Sequence, residues 1–340
     1  MLPSDLRPSS EAPTLAEVAA LAGVSPATAS RVLNNSARVS PAARDQVHEA
    51  VVRLGYVRQR AARGTLHDRQ TRCVAAVICE STPRLFADPY YGRVLDGAEA
   101  ALAPHEMPLL LAFGDRAAAL ERYLRGRHVD GVLLIAPRGR HPLASALRSV
   151  GVPVTMVGRP LCKEDFSYVD VDNRGGARRA VERLIAAGRS TIATISGPPD
   201  IVGGVDRLAG YRDALQAADQ PLGPVLYGDW TRASGVHAMS RLLDHRPNLD
   251  AVFAASDLMA MGALHALRRA GRRVPEDVAV IGFDDMPMSA YTDPPLTTVR
   301  QPVEELGAAA AHRLIAAMSG ENGDRSGAVL PTSLVVRRSG

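Results

Sequence analysis

From Val74 onward the chain alternates short apolar runs with longer amphipathic stretches, and few architectures accept that pattern. Residues 74–79, 109–113, 131–135 and 154–157 are too short for helices and apolar enough for strands buried on both faces. Between them, residues 91–102, 117–125 and 143–150 repeat apolar side chains at helical spacing. A second series follows residue 170, with helices at 175–187, 208–217, 233–243 and 258–270 and strands at 191–195, 251–254 and 278–283. Two such series predict two consecutive doubly wound α/β units with parallel sheets. Ligands of these sheets sit at the carboxyl ends of the strands, so two facing units predict a cleft between them. Residues 297–338 hold one more helix, at 303–318, and two strand-like pieces, which predicts that the chain recrosses between the lobes. With 340 residues and 46% hydrophobic content, a large core is within reach.

The segment before this pattern is of another kind. Residues 14–34, TLAEVAALAGVSPATASRVLN, read as a helix, a tight turn and a second helix. Leu15, Val18, Ala19 and Ala22 form one apolar stripe. Gly23 supplies the left-handed residue that commonly ends a helix. Ser25 caps the second helix, and Pro26 stands at its first position, where a missing N–H costs nothing. Ala29, Val32 and Leu33 face inward, leaving Pro26, Ala27, Ser30 and Arg31 outward. A third helix at 41–54, with Ala43, Val47, Ala50, Val51 and Leu54, closes a three-helix core. This is the helix-turn-helix that lays its second helix in the DNA major groove.

Charge agrees with that reading. The first 72 residues hold 10 of the 40 basic and 6 of the 36 acidic residues, so the whole excess of +4 lies there and the remainder is neutral. A small basic unit beside a neutral body is the footprint of a phosphate-binding module. No apolar run approaches the roughly 20 residues of a membrane span. The N-terminal MLPSDLRPSSEAP lacks the apolar centre of a signal peptide, and is expected to be a disordered lead in a cytoplasmic protein. Cys73, Cys79 and Cys162 are odd in number and lack metal spacing, so free thiols are expected. There is no Gly-rich phosphate loop, nucleophile elbow or metal-ligand cluster, so neither an enzyme nor a cofactor is expected. His265 and His312 stand singly on helices, as structural or solvated groups.

Beyond these patterns, the chain resembles the lactose/galactose-repressor family of bacterial transcription regulators from residue 14 to residue 338. The likeness is carried by VSPATASRVLN (24–34), LGY (54–56), VDN (171–173), RLAGY (207–211), SDLMAMGAL (256–264), VPEDVAVIGFDD (274–285) and PPLTTVRQP (294–302). It implies a disordered lead (1–12), a DNA-binding headpiece (13–55), a hinge linker (56–72) and a two-lobed, periplasmic-binding-protein-like core (73–340) that dimerises. The expected lobes are about 73–168 with 300–323, and 169–296 with 324–340. No heptad repeat follows the core, which favours a dimer over a tethered tetramer. The implied partners are a pseudo-palindromic double-stranded operator and a small effector, with a sugar the first expectation and a purine or nucleoside the alternative. A solute-binding protein shares the core, but the basic headpiece and the lack of a signal peptide count against it.

By that resemblance, Pro26, Ala27 and Arg31 read bases. Arg31 can pair bidentately with guanine O6 and N7, worth roughly 1–3 kcal/mol of discrimination, and Ala27 can touch a thymine methyl. Thr14, Ser25, Thr28, Ser30 and Asn34 contact the backbone, fixing register; Ser25 is equally expected as a helix cap. The hinge departs from the family pattern of tyrosine, a proline two residues on with asparagine after it, and later Ala-Arg-x-Leu. Here Tyr56 is followed by Arg58 and Gln59, and Thr65 takes the place of the leucine that wedges into the minor groove. Leu66 comes one residue later, and Gly64 weakens a helix there by about 1 kcal/mol. Arg58, Arg60 and Arg63 can compensate through phosphate contacts.

In the core, the resemblance assigns ligand hydroxyls to Arg207 and Asp284, on opposite walls. Trp230, the only tryptophan, is expected as an aromatic platform, with core packing the competing view. Ser256 replaces a common asparagine and Gly158 a common aspartate; both losses remove polar reach, which admits a ligand larger than a monosaccharide, or a different one. Tyr90 and Tyr91 line the pocket or pack in the core.

Overall fold

A computed structural model describes residues 14–33, 36, 39–54, 56, 72–114, 117–126, 128–139, 143, 147, 151–161, 166–320 and 327–340. The chain divides into two compact units, residues 1–69 and 70–340.

The first unit holds helices α1 (Leu15–Leu21), α2 (Pro26–Leu33) and α3 (Pro41–Leu54). Thr14 and Glu17 form a reciprocal cap on α1: the Glu17 N–H donates to Thr14 Oγ1, and the Thr14 N–H donates to Glu17 Oε2 at 2.6 Å. Gly23 takes φ +64 and ends the first helix. Val18, Ala19, Ala22, Ala29, Val32, Val47 and Ala50 close a core, with Leu15, Leu33, Val51 and Leu54 against it. Small residues at the contact let the three helices approach closely.

The second unit is built on two six-stranded sheets. The first series runs β1 (Val74–Ile78), α4 (Thr82–Ala87), α5 (Pro89–Leu102), β2 (Leu109–Phe113), α6 (Ala117–Arg125), β3 (Gly131–Ile135), β4 (Val154–Val157) and β5 (Ser167–Val171). The second runs α7 (Asn173–Ala186), β6 (Ile192–Ser196), α8 (Val202–Ala217), β7 (Val225–Tyr227), α9 (Arg232–His245), β8 (Ala251–Ala254), α10 (Asp257–Arg269), β9 (Ala279–Asp284) and β10 (Thr297–Arg300). Then α11 (Val303–Met318), β11 (Ala328–Leu330) and β12 (Ser333–Val335) follow. The first sheet has the order β11-β5-β4-β3-β1-β2 and is parallel throughout. The second has the order β12-β10-β9-β8-β6-β7, with β12 alone antiparallel. Strands such as Val74–Ile78 and Ala251–Ala254 are buried at every residue, as helices on both faces require.

Two expectations change, and three elements add to them. The crossovers fall after β5, β10 and β11, so residues 169–171 and β11 belong to the first lobe, and β10 lies wholly in the second. Residue alternation in SYVDV hid β5 from a search for continuous apolar runs. Strand β2 is an edge strand rather than a buried one, with Leu110 and Leu111 about two-fifths exposed, because only β1 pairs with it. Helix α4 and strand β7 were too short and mixed to anticipate. Of the helix expected over 143–150, Leu143 and Leu147 are described, both buried in the first lobe.

Candidate functional site

In the first unit, Pro26, Ala27 and Arg31 are exposed on α2. Ser30, expected outward, is half-buried, as is Thr28. Ser25 Oγ accepts from the Thr28 N–H at 3.1 Å and lies 2.9 Å from Thr28 Oγ1, so both hydroxyls serve the helix start. Thr14 is exposed at the start of α1. N–H groups at such helix starts attract anions through their unpaired donors and the helix dipole. Tyr56 is half-buried against the three-helix core, and its N–H donates to the Val51 carbonyl at 3.0 Å. Asn34, Arg58, Arg60, Arg63, Thr65 and Leu66 lie outside the described residues.

In the second unit the carboxyl ends of the strands of both lobes line one cleft. Tyr90, Tyr91, Arg207, Trp230, Ser256 and Asp284, drawn from both lobes, all line it. Arg207 on α8 is the centre of this arrangement. Its Nε donates to Asn173 Oδ1 at 2.8 Å, and Nη1 donates to the Ala255 carbonyl at 2.6 Å and to Asp284 Oδ1 at 3.1 Å. The guanidinium lies 3.6 Å from the Phe283 ring centroid and 5.5 Å from that of Trp230. Asn173, itself a cleft-lining residue, spends its amide on Asp170 Oδ1 and the Val171 carbonyl, and so orients the arginine.

Asp284 ends β9 at φ +118, a region that a non-glycine residue occupies only when its surroundings hold it there. Gln301 Nε2 donates to its Oδ1 at 2.6 Å, beside the Arg207 contact. Among the described residues no hydrogen bond is recorded at Asp284 Oδ2 or Arg207 Nη2, which leaves one acceptor and one donor on these two cleft-lining residues. That pair matches two neighbouring hydroxyls of a polyol. Burial pushes the Asp284 carboxyl up to about 7, against the lowering pull of Arg207. Burial also raises Asp88 and Asp170, and it raises the Tyr90 and Tyr91 phenols, which therefore remain protonated donors near neutral pH.

Trp230 sits at φ +72 in the turn before α9, and its ring lies over Gly197, where a Cβ would come within 2.1 Å of the indole. Trp230 also packs against the second lobe's core while lining the cleft. Tyr91 is buried in the first lobe's core while its edge reaches the cleft, and Tyr90 packs against it at 5.5 Å between centroids. Ser256 Oγ accepts from the Met259 N–H at 3.3 Å, capping α10. Gly158 takes φ +91 in the cleft wall, with open space where a side chain would stand.

Sequence reasoning missed Asp88, Arg159, Asp170 and Gln301, which also line the cleft. Asp170 immediately precedes the VDN motif, whose Asn173 also lines the cleft. Gln301 stands in the PPLTTVRQP motif, but its place in the cleft was not foreseen, since a crossover brings it to the site. Among the described residues no group of His, Cys, Asp and Glu could hold a metal ion, and no helix is long and apolar enough to cross a membrane.

Known proteins with this combination are regulators. The pattern of bacterial regulatory proteins of the lacI family matches residues 14–59, and that of a periplasmic binding protein-like domain matches residues 181–340. The chain is 50% identical over 335 residues to the HTH-type transcriptional regulator CelR of Thermobifida fusca, covering 96% of this chain and 98% of that one. A solved complex of the transcriptional regulator CelR with cellobiose is 48% identical, with a TM-score of 0.77 over 96% of this chain and 100% of that one. The lac repressor dimer bound to operator and the anti-inducer ONPF is 27% identical, with a TM-score of 0.73 over 97% and 99%. By headpiece, by two-lobed core and by identity along nearly its whole length, this chain belongs to the lacI family of bacterial regulatory proteins and is a DNA-binding transcription regulator.

Proposed function

We infer that this protein represses genes for carbohydrate uptake and breakdown, and that a disaccharide of the cellobiose type relieves the repression. The observation that carries this reading is the Arg207–Asp284 pair beside Trp230, in a chain 48% identical to a regulator complexed with cellobiose. The pair takes two neighbouring hydroxyls, and Trp230 offers a face to an apolar side of a pyranose ring. Tyr90 and Tyr91 donate from the first lobe. Gly158, with open space where a side chain would stand, and the short Ser256 side chain leave room in the cleft wall for a second ring.

On the DNA side, Arg31, Ala27 and Pro26 read base edges, while Thr14, Ser25, Thr28, Ser30 and Asn34 hold phosphates. Tyr56, Arg58, Arg63 and Leu66 join the headpiece to the operator through the hinge. Two copies act together on a pseudo-palindrome, as in the lac repressor dimer. The protein works in the cytoplasm, where the operator is, and it binds the sugar without transforming it. Closure of the cleft shifts the population away from the DNA-competent arrangement, for which a coupling of about 1–3 kcal/mol suffices.

The test is a titration of Trp230 emission with cellobiose, glucose, maltose and a set of nucleosides. It is followed by a mobility-shift measurement on an operator selected from random duplexes. Saturable binding of cellobiose that releases the operator is expected. A nucleoside that binds while every sugar fails would transfer the effector site to the purine and nucleoside class.

A further inference from the structure

Among the described residues three arginines reach across the cleft, and all three belong to the first lobe. Arg159 meets Asp206 of α8 at 2.6 Å. The other two share an anchor. Arg138, beyond β3, donates from Nη2 to Glu80 Oε2 at 2.7 Å, and its Nη1 reaches Asp200 of the second lobe at 3.3 Å. The neighbouring Gly139 N–H donates to the Asp200 carbonyl at 2.7 Å. Arg84 on α4 lies 3.7 Å from the same Glu80 oxygen, and its Nη2 donates across the cleft to the Asp229 carbonyl. The Glu80 side chain is only 9% exposed, so it holds two cations in place from beneath.

The targets on the second lobe are not arbitrary. Asp229 immediately precedes Trp230, whose backbone sits in the left-handed region and needs its surroundings to keep it there. Asp200 immediately precedes Ile201, which lines the cleft at the entry to α8, the helix that carries Arg207. Each bridge therefore ends one residue from a cleft-lining group, and each exists only when the lobes are close.

We propose that Arg84 and Arg138, seated on Glu80, are positioning residues for the effector: from the first lobe they fix the Trp230 turn and the Asp200 loop of the second as the cleft closes. This rests on the reading of the cleft as a sugar site. One consequence is unusual for an uncharged ligand. Closure forms partly exposed ion pairs that salt screens, so the affinity for a neutral sugar falls as ionic strength rises.

Trp230 is the only tryptophan, so emission of the full-length protein reports its surroundings alone. In ligand-free protein, Arg84→Gln should raise the acrylamide quenching of Trp230, and Arg84→Lys should restore part of the protection. Arg84→Gln and Arg138→Gln should each weaken cellobiose binding roughly 5- to 10-fold. The double variant Arg138→Gln/Asp200→Asn should bind no worse than Arg138→Gln. Raising NaCl from about 50 to about 500 mM should weaken binding by the wild type, and less so by Arg138→Gln. Circular dichroism melting identifies any variant that fails to fold, in which case Arg84→Lys and the wild-type salt series still decide. Quenching and affinity both unchanged in Arg84→Gln overturn the proposal, as does a salt-independent wild-type affinity. If no sugar binds the wild type, the effector reading falls, and the ligand-free quenching alone then decides whether Arg84 positions Trp230.

Discussion

Replacing Arg207 by alanine removes the group on which the cleft converges. The side chain is 8% exposed and makes three hydrogen bonds, at 2.6–3.1 Å, to the Ala255 carbonyl, Asn173 and Asp284. Its loss leaves Asp284 with Gln301 as its one side-chain donor and strips the Phe283 face of its cation. Breaking a buried pair from one side costs about 3–5 kcal/mol. At roughly 2–4 °C per kcal/mol for a unit of this size, the melting temperature should fall by about 6–20 °C. The wild type in cellobiose at about 100 times its Kd gains about 2.7 kcal/mol, a rise of roughly 5–10 °C by the same conversion. Arg207→Ala should gain none. Circular dichroism melts of both proteins, with and without cellobiose, read both quantities, and operator binding below the variant's transition should persist. A variant whose melting temperature rises with cellobiose as the wild type's does would refute the assignment of Arg207 to the effector. One that melts with the wild type would refute the burial energetics.

Arg31→Ala should lose about 1–3 kcal/mol of operator discrimination while cellobiose binding stays intact; retention of the same preference for operator over random duplex in a mobility shift would remove Arg31 from the base-reading face. Ser256→Asn preserves a good helix cap, so the melting temperature should hold within a few degrees. The longer amide enters the cleft, and titrations of Trp230 emission should show cellobiose weakened more than glucose; equal effects on both would contradict the two-ring reading. Burial raises Asp284 to about 7, so its protonated form is favoured in the fold. The stability this group contributes is complete below the ordinary carboxylate range and is lost as pH rises toward 7. Sugar hydroxyls donating to Oδ2 favour the carboxylate instead. Cellobiose affinity should therefore rise from about pH 6 to about pH 8, by at most roughly tenfold per pH unit, and then level off. Binding that tightens on acidification would exclude Asp284 as the acceptor.

Helix starts, the turn at Gly23, the α2 face and most strands were legible because each depends on residues a few positions apart. Ser25 caps its own helix, and Val74–Ile78 is apolar at every position because both faces of a parallel sheet are covered. The headpiece core follows from helical spacing alone, in Val18, Ala29, Val32, Val47 and Ala50. Arg207, Asp284 and Trp230 stood out through the resemblance, not through periodicity, since nothing local distinguishes a cleft arginine from a surface one.

What tertiary structure decided is whatever depends on partners distant in sequence. Which sheet receives β5, β10 and β11 is a choice among edges that hydrophobic pattern cannot rank, because each short strand is equally apolar toward either lobe. Glu80 meets Arg138 58 positions away, Arg138 meets Asp200 after 62 more, and Arg84 meets Asp229 across 145. No sequence period relates such pairs. The sequence by itself determined most of the elements, the basic headpiece and the expectation of a cleft. Only the packing of two sheets, carboxyl ends facing, decided which charges meet across that cleft and which pair was left with a free donor and acceptor for a ligand.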